Sequence, residues 1–184
     1  FGTLAGYFGG WLDSILSRIT DIIFAVPFLL AGIVVMQMFR ENRTIFTVVL
    51  VLAVFGWPQI ARITRGAVMQ TKTEEFVNAA KALGESKIRI ILRHIVPNAT
   101  APMIVYATVA LGTFIVSEAT LSFLGVGLPS DVVSWGGDIS RAQSALRQNP
   151  SVLFYPAGAL AMTVLSFIMM GDVVRDALDP KARK

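Results

Sequence analysis

Four stretches of the chain are free of charged residues and long enough to cross a lipid bilayer. An α-helix rises about 1.5 Å per residue, so eighteen to twenty residues cover roughly 27–30 Å, the thickness of the hydrocarbon core. Helices are expected because an open sheet would leave backbone groups without partners in lipid. Pro27 and Pro58 predict bends in the first two spans. The pattern predicts spans over residues 22–39, 44–61, 95–117 and 152–171.

Composition supports a membrane protein and excludes several kinds of chemical site. Hydrophobic residues make up 54% of the chain and charged residues 15%, whereas a soluble domain carries nearer a quarter charged residues. There is no Cys and one His, His94, which excludes thiolate and multi-histidine metal sites. The chain also lacks the phosphate-binding loop of nucleotide hydrolases. We expect no catalytic residue, no cofactor and no metal, so a partner must supply any energy.

The basic residues lie beside the apolar stretches and do not form a patch with interleaved aromatic residues. This arrangement favours a membrane boundary over nucleic acid. The predicted spans place Arg18, the basic residues of segment 62–93 and those of the C-terminal tail on one side of the membrane. That side then holds twelve Lys and Arg residues, and the other side holds four. The positive-inside rule therefore predicts that residues 73–94 and the C-terminus face the cytoplasm. The tail contributes Arg175, Lys181, Arg183 and Lys184.

Residues 73–94 are predicted to form two short helices joined at Gly84. Thr73 is a suitable N-cap, Glu74 and Glu75 suit the positive end of a helix dipole, and Gly84 suits a helix end. In the first helix, one face is apolar: Phe76, Val77, Ala80 and Leu83. Ser86 is a suitable cap for the second helix, where helical spacing predicts an apolar stripe of Ile88, Ile91, Leu92 and Ile95.

The apolar face of the first helix needs a covering surface. Ala79, Ala80 and Ala82 are small and would let the groove of a partner protein come close. An amphipathic helix of this kind also lies on lipid headgroups in other proteins. The pattern of residues leaves both interpretations open.

Polar and aromatic residues after the third span are candidates for an outer site. Glu118 follows that span directly and is either an interfacial carboxylate or a vestibule group that attracts a peptide amine or a metal ion. Residues 140–147 predict a short outer helix, which Trp135 would anchor at the membrane interface. Near the first span, Arg18 and Asp21 are spaced for an ion pair on one helical face.

Two segments within and just after the cytoplasmic stretch resemble the cytoplasmic motif of ATP-binding-cassette (ABC) importer permeases. The motif reads Glu-Ala-Ala, three residues, Gly and, after a longer gap, Pro. The segments "NAAKALG" and "RHIVPN" match it at Ala79, Ala80, Gly84 and Pro97. They depart from it at Asn78, where the family usually has Glu. Because Asn lacks the charge, the resemblance does not carry over an ion pair with the ATPase at this position.

The rest of the chain resembles one branch of that family, the dipeptide, oligopeptide and nickel permeases. The similar segments are "GYFGGWLDSILSRITDIIFAVPFLL", "SEATLSFLGVG", "SWGGDI" and "GDVVRDALDP". "PSDVV" departs from it, since many relatives have a proline-richer loop there. The resemblance implies an all-α type I importer transmembrane domain. That domain usually has six spans, so we expect the first span or more to precede Phe1.

The resemblance implies a permease subunit that forms part of a translocation path and is not an enzyme. Its implied partners are ATP-binding subunits, a sister permease in a homo- or heterodimer, an extracellular substrate-binding protein and the plasma membrane. Outer loop 125–150, with Glu118, Trp135 and Asp138, is assigned to an outer vestibule or to contact with the binding protein. The residues assigned to ATPase coupling are Glu75, Phe76, Val77, Asn78, Ala79, Ala80, Lys81, Ala82, Leu83 and Gly84.

The implied substrate is a dipeptide, an oligopeptide or nickel, and we favour peptides. A different class of function is a membrane scaffold or assembly subunit that docks a cytoplasmic protein without a path of its own. A polar cavity between the spans would favour the permease, and a dry, tightly packed bundle would favour the scaffold.

Overall fold

The structure, a computed structural model, describes residues 1–178. Every regular element in this range is helical, which confirms the predicted fold class. A 3₁₀ turn, Arg40–Asn42, and a π-helical segment, Ile91–Ile95, accompany the α-helices. The predicted basic residues Lys181, Arg183 and Lys184 lie outside the described range. The α-helices are α1 (Gly2–Phe8), α2 (Gly10–Phe24), α3 (Phe28–Met38), α4 (Ile45–Thr71), α5 (Glu75–Ala82), α6 (Lys87–Ile90), α7 (Val96–Phe123), α8 (Trp135–Ala145) and α9 (Ser151–Leu178).

Three helical runs among the described residues are long and apolar enough to cross a membrane. They are α4, the run Lys87–Phe123 that joins α6, the π-segment and α7, and α9. Apart from Thr44, the predicted spans over residues 44–61, 95–117 and 152–171 lie within these runs. Their insertion in a bilayer at those bounds stays a prediction. Because α7 continues to Phe123, Glu118 is inside a helix and not beyond its end.

The predicted span over residues 22–39 is not one continuous helix. Helices α2 and α3 are bent by 72° at the break between them, and the pair counts as one further span at most. Pro27 stands at the break with φ −58° and ψ 122°. Proline has no N–H to donate, and it disfavours helical backbone at the residue before it, here Val26. The predicted bend at Pro27 is therefore a full interruption of the helix.

The described residues form two compact units. The first contains Phe1–Ala25, Trp57–Ala107 and the described residues from Gly171 onward. The second contains Val26–Gly56 and Thr108–Met170.

In the first unit, α1 and α2 are attached to α4 by close packing and by charge. A Cβ at Gly6 would lie 2.8 Å from the carbonyl oxygen of Arg65, so only glycine allows this approach. The Arg65 guanidinium donates to both oxygens of Asp13, at 2.6 and 2.7 Å. Arg62 donates to Asp21 at 2.8 Å. The predicted pairing of Asp21 with a residue of its own helix is therefore wrong, because the Asp21 carboxylate reaches a closer cation on α4.

In the second unit, an apolar core joins α3, α4, α7 and the loop that follows α7. Its buried side chains are Met36, Val48, Val51, Leu121 and Val126. Arg43 attaches that loop to the end of α3, because its guanidinium donates to the carbonyl oxygens of Met36, at 3.2 Å, and Gly125, at 2.9 Å.

Helix α8 packs on α7 at a position that only glycine can occupy. A Cβ at Gly136 would lie 1.9 Å from the carbonyl oxygen of Ala119, which is backbone and cannot turn away. This contact fixes the first turn of α8 against α7. It therefore determines where the neighbouring side chains Trp135 and Asp138 lie.

We expect Gly136→Ala to lower the stability of the protein by about 1–3 kcal/mol, the usual effect of overpacking. The matched control is Gly158→Ala in α9, where an added Cβ meets nothing within 4 Å. That change should leave stability unchanged or raise it by up to about 1 kcal/mol, since Ala is the better helix former. Thermal unfolding of the purified protein in detergent measures both. Equal midpoints for the two variants would contradict the close contact.

Candidate functional site

The first short helix of the predicted coupling segment begins one residue later than predicted. Helix α5 has Glu74 as its N-cap residue, with extended backbone and no side-chain capping bond. Thr73 instead donates its hydroxyl to the carbonyl oxygen of Gln70 at 2.8 Å. The prediction of Thr73 as N-cap is wrong because that hydroxyl closes the preceding turn. Glu75 in the first turn still suits the helix dipole.

The end of α5 agrees with the prediction from Gly84. Gly84 has a φ of 78°, a conformation that strains residues with a Cβ. The Glu85 N–H donates to the carbonyl oxygen of Ala80 and the Gly84 N–H to that of Lys81, at 3.1 and 3.0 Å. This pair of bonds is a Schellman motif, which satisfies the last carbonyl groups of a helix. The helix therefore has a fixed length and a fixed exit direction.

The predicted apolar face of α5 is divided in two. Val77 is fully buried and Ala80 is 5% exposed, whereas Phe76 is 42% and Leu83 84% exposed. Val77 and Ala80 belong to the core of the first unit, together with Val68, Ile90, Ile95 and Ala99. We call this packing the α5 seat. Ala80 is thus a packing residue of the chain itself, and the exposed part of α5 presents Phe76, Ala79 and Leu83.

The second short helix begins as predicted, and its packing matches the predicted stripe only in part. The Ser86 hydroxyl accepts a bond from the Arg89 N–H at 3.4 Å. Ile95 is buried as predicted, together with Ile90, whereas Ile88 is 71% and Leu92 65% exposed. The predicted stripe is therefore wrong at Ile88 and Leu92. The buried residues Ile90 and Ile95 are five apart, the hydrogen-bond spacing of the π-helical segment that follows Ile90.

Asn78, which stands where related permeases usually have Glu, bonds within the segment. Its amide nitrogen donates to the carbonyl oxygen of Thr73 at 3.3 Å, and its amide oxygen accepts from the Lys81 ammonium at 3.2 Å. A carboxylate has no proton to donate to Thr73. Asn78 therefore connects α5 to the turn before it, which Glu cannot do.

His94 joins the start of the third predicted span to the end of the coupling segment. Its Nε2 lies 3.1 Å from a carboxylate oxygen of Glu85. The centroids of the His94 and Phe76 rings are 6.5 Å apart. The His94 side chain is partly buried.

In the second unit, the three predicted outer residues line one cavity. Glu118 of α7, together with Trp135 and Asp138 of α8, borders a volume of about 520 Å³. The remaining wall is mainly apolar and includes Leu111, Phe114 and Ile115. We call this volume the Glu118 cavity. Its assignment to a vestibule or to contact with a binding protein stays a prediction.

The start of α8 places two of these side chains. Ser134 caps the helix, since its hydroxyl accepts a bond from the Gly137 N–H at 3.1 Å. Trp135 and Asp138 then lie in the first turn. The predicted outer helix over residues 140–147 is therefore correct in type but begins at Trp135. Ser134 before an apolar residue was the sequence signal for this earlier start.

Two further polar residues bond to the carboxylates of the Glu118 cavity, and the sequence analysis missed these contacts. Ser122 donates its hydroxyl to Glu118 Oε1 at 2.6 Å. Arg141 donates to Asp138 at 2.5 Å. Both partners are three or four residues away on the same helix, a spacing at which side chains meet. Among the described residues, no group of three or more potential ligands is arranged to hold a metal ion.

Comparison with known proteins identifies the family of this chain. Residues 1–184 match the family described as "Binding-protein-dependent transport system inner membrane component". The chain is similar to the oligopeptide transport system permease protein OppC of Bacillus subtilis strain 168, with 42% identity over 184 residues, which are 100% of this chain and 60% of that protein. It is also similar to the dipeptide transport system permease protein DppC of Alkalihalophilus pseudofirmus, with 38% identity over 182 residues, which are 99% and 59% of the two chains.

A third similar protein is the glutathione transport system permease protein GsiD of Escherichia coli O6:K15:H31. The identity is 39% over 177 residues, which are 96% of this chain and 58% of that protein. The chain thus spans about three-fifths of the length of these relatives. The family match covers every residue, and its helical fold agrees with the structure. The chain therefore belongs to the binding-protein-dependent transport system inner membrane components, the permease family of the type I ABC importers.

Proposed function

We propose that this chain is a permease subunit that carries peptides across the plasma membrane and is driven by partner ATPases. The three relatives described above are named for oligopeptides, dipeptides and glutathione, which is itself a tripeptide. In this proposal the chain forms part of the path, beside a sister permease, and an extracellular binding protein delivers the substrate. Residues 73–94 and the C-terminus face the cytoplasm, where the ATPases bind.

The observation that carries the proposal is the α5 seat, beside which Phe76 and Leu83 stay exposed. Fully burying a Val side chain stabilises a protein by about 1.5–3 kcal/mol, so Val77 holds α5 firmly against the core of the first unit. The Schellman motif at Gly84 holds its end. Leu83 and Phe76 nevertheless remain open. A rigid short helix with exposed apolar side chains suits insertion into the groove of a partner protein.

The alternative in which α5 lies on lipid is less well supported by its surface. Asn78 and Lys81 are exposed on the same helix, and only Phe76 and Leu83 offer large exposed apolar groups. Stable attachment of an interfacial helix depends on a larger apolar area. The small exposed residues Ala79 and Ala82 suit close contact with a protein surface instead.

The seat also gives α5 a mechanical role. The core residues that hold it come from α4 (Val68), from the segment that leads into α7 (Ile90, Ile95) and from α7 itself (Ala99). Displacement of α5 by an ATPase would therefore act directly on the ends of two membrane helices. Packed cores respond to such displacement by changing between discrete arrangements, as alternating access requires. The permease is also supported over the scaffold alternative by the two carboxylates, Glu118 and Asp138, in the otherwise mainly apolar wall of the Glu118 cavity.

Leu83→Glu tests the docking of α5. Leu83 is 84% exposed, so the change should leave thermal stability and membrane insertion unaltered. We expect the affinity for the cognate ATP-binding subunits to fall at least about tenfold, since a buried anchor residue at an interface contributes about 1.4 kcal/mol or more. Co-purification of the complex at graded ATPase concentrations measures the affinity.

Two further variants make the docking test specific. Val133→Glu changes a residue of equal exposure, 84%, in the predicted outer loop, and should leave ATPase affinity unaltered. Ala80→Glu places a charge in the α5 seat and should lower both stability and affinity, so it reports packing and not docking. Normal ATPase association of Leu83→Glu would contradict the proposed docking surface.

Peptide transport is tested with the whole assembly in proteoliposomes. We expect ATP-dependent uptake of labelled dipeptide, tripeptide or longer peptide when the loaded binding protein is present, and none when ATP is replaced by a non-hydrolysable analogue. Labelled nickel ion, with and without a peptide, is the comparison substrate. Uptake of nickel alone, without uptake of any peptide, would overturn the proposed substrate class. The proposal that the chain is a permease subunit would then still stand.

A further inference from the structure

Glu118 differs from the other partly buried carboxylates of the described residues in having no basic partner. Asp13 pairs with Arg65 and Glu85 with His94. None of the ion pairs among residues 1–178 includes Glu118. Within this range its carboxylate accepts a bond from the Ser122 hydroxyl, at 2.6 Å to Oε1. A hydroxyl satisfies one lone pair of a carboxylate and leaves the charge uncompensated.

The surroundings of that charge are apolar. The Glu118 cavity is bordered mainly by Leu111, Phe114, Ile115 and Trp135. None of these four side chains supplies a cation that could compensate the carboxylate charge. The one other carboxylate at the wall, Asp138, is already bonded to Arg141. A ligand that enters the cavity therefore meets one unpaired negative charge.

We infer that the Glu118 cavity binds the ammonium group of a peptide's free N-terminus during passage, with Glu118 as the counter-ion. The inference rests on the proposed peptide transport and names the end of the substrate that the permease itself recognises. An ammonium donates hydrogen bonds to the open carboxylate oxygens, and charge-assisted bonds of this type are the stronger kind. The volume, about 520 Å³, is within the range of small-ligand sites.

The remaining walls favour an organic ammonium over a metal ion. Nickel prefers several nitrogen or oxygen ligands in a defined geometry, and no set of three potential ligands is brought together in the described residues. The apolar and aromatic walls suit the hydrocarbon part of a peptide. Phe114 and Trp135 also present rings to the same volume, and aromatic faces attract cations.

The experiment compares two substrates in the complete assembly, a dipeptide with a free amine and its N-acetyl analogue. Each is delivered at a saturating concentration of loaded binding protein, so that differences in delivery cancel between variants. In Glu118→Gln, the amide oxygen still accepts the bond from Ser122 and only the charge is lost. We expect its uptake of the free-amine peptide to fall about tenfold. Its uptake of the acetylated peptide should change less than twofold.

Ser122→Ala is the matched structural control. It removes the bond to Glu118 and the bond that the Leu128 N–H donates to the Ser122 hydroxyl, at 3.1 Å, and it leaves the carboxylate charge. Any lower uptake should therefore affect both substrates equally, and the ratio of their rates should stay as in the unaltered protein. If the ratio of free-amine to acetylated peptide uptake falls in Ser122→Ala as much as in Glu118→Gln, Glu118 has a structural role and the inference is overturned.

A second variant keeps the test decisive if Glu118→Gln fails to assemble. Leu111→Lys places an ammonium of the chain itself at the cavity wall, and Leu111→Met controls for length. We expect the lysine variant alone to lose the preference for the free-amine peptide. An unchanged preference for the free-amine peptide in the lysine variant, or in an assembled Glu118→Gln, would overturn this inference and leave the proposed function in place. Absence of peptide uptake by the unaltered protein would overturn the proposed function with it.

Discussion

The packing of Val77 and Ala80 into the core of the first unit is the interaction on which the proposed coupling depends. A helix of eight residues, α5, is too short to be stable by itself in water. Its helical form is maintained because one side is buried against Val68, Ile90 and Ile95 and because its end is closed at Gly84. The same burial holds the exposed neighbours Phe76 and Leu83 in fixed positions. Without the α5 seat, Leu83 and Phe76 would belong to a mobile loop, and a partner would have no defined surface to bind.

Much of the fold follows from hydrophobic pattern, and the departures have local physical causes. Three of the four charge-free stretches lie in long helices, because lipid requires each backbone group to bond within its own segment. The first stretch is interrupted at Pro27. The residues on both sides of Pro27 are apolar, but the helical backbone does not continue through it. Composition alone does not distinguish a proline that bends a helix from one that ends it. That difference depends on whether neighbouring groups satisfy the freed carbonyls.

At the site, sequence reasoning succeeded where bonds are local. Gly84 and Ser86 act as predicted because a helix end and a cap involve residues within one turn. It failed where distant packing decides. Ile90 is buried in place of Ile88 because it packs into the core with Val68 and Val77. Asp21 bonds to Arg62 on another helix. Glu118, Trp135 and Asp138 line one cavity although their shared location was assigned from resemblance and not from spacing.

The distribution of paired and unpaired charges connects the two parts of the proposal. In the first unit, Asp13 and Asp21 are both neutralised by arginines of α4, so these charges hold helices together and are not available to a ligand. In the second unit, the Asp138 carboxylate is likewise paired with the Arg141 guanidinium. Among the described residues, Glu118 is the one partly buried carboxylate without such a basic partner, and the Ser122 hydroxyl bonds to it instead. Its carboxylate lines a cavity with the charge unpaired. An unpaired negative charge at a cavity wall is the arrangement that a cationic substrate group requires.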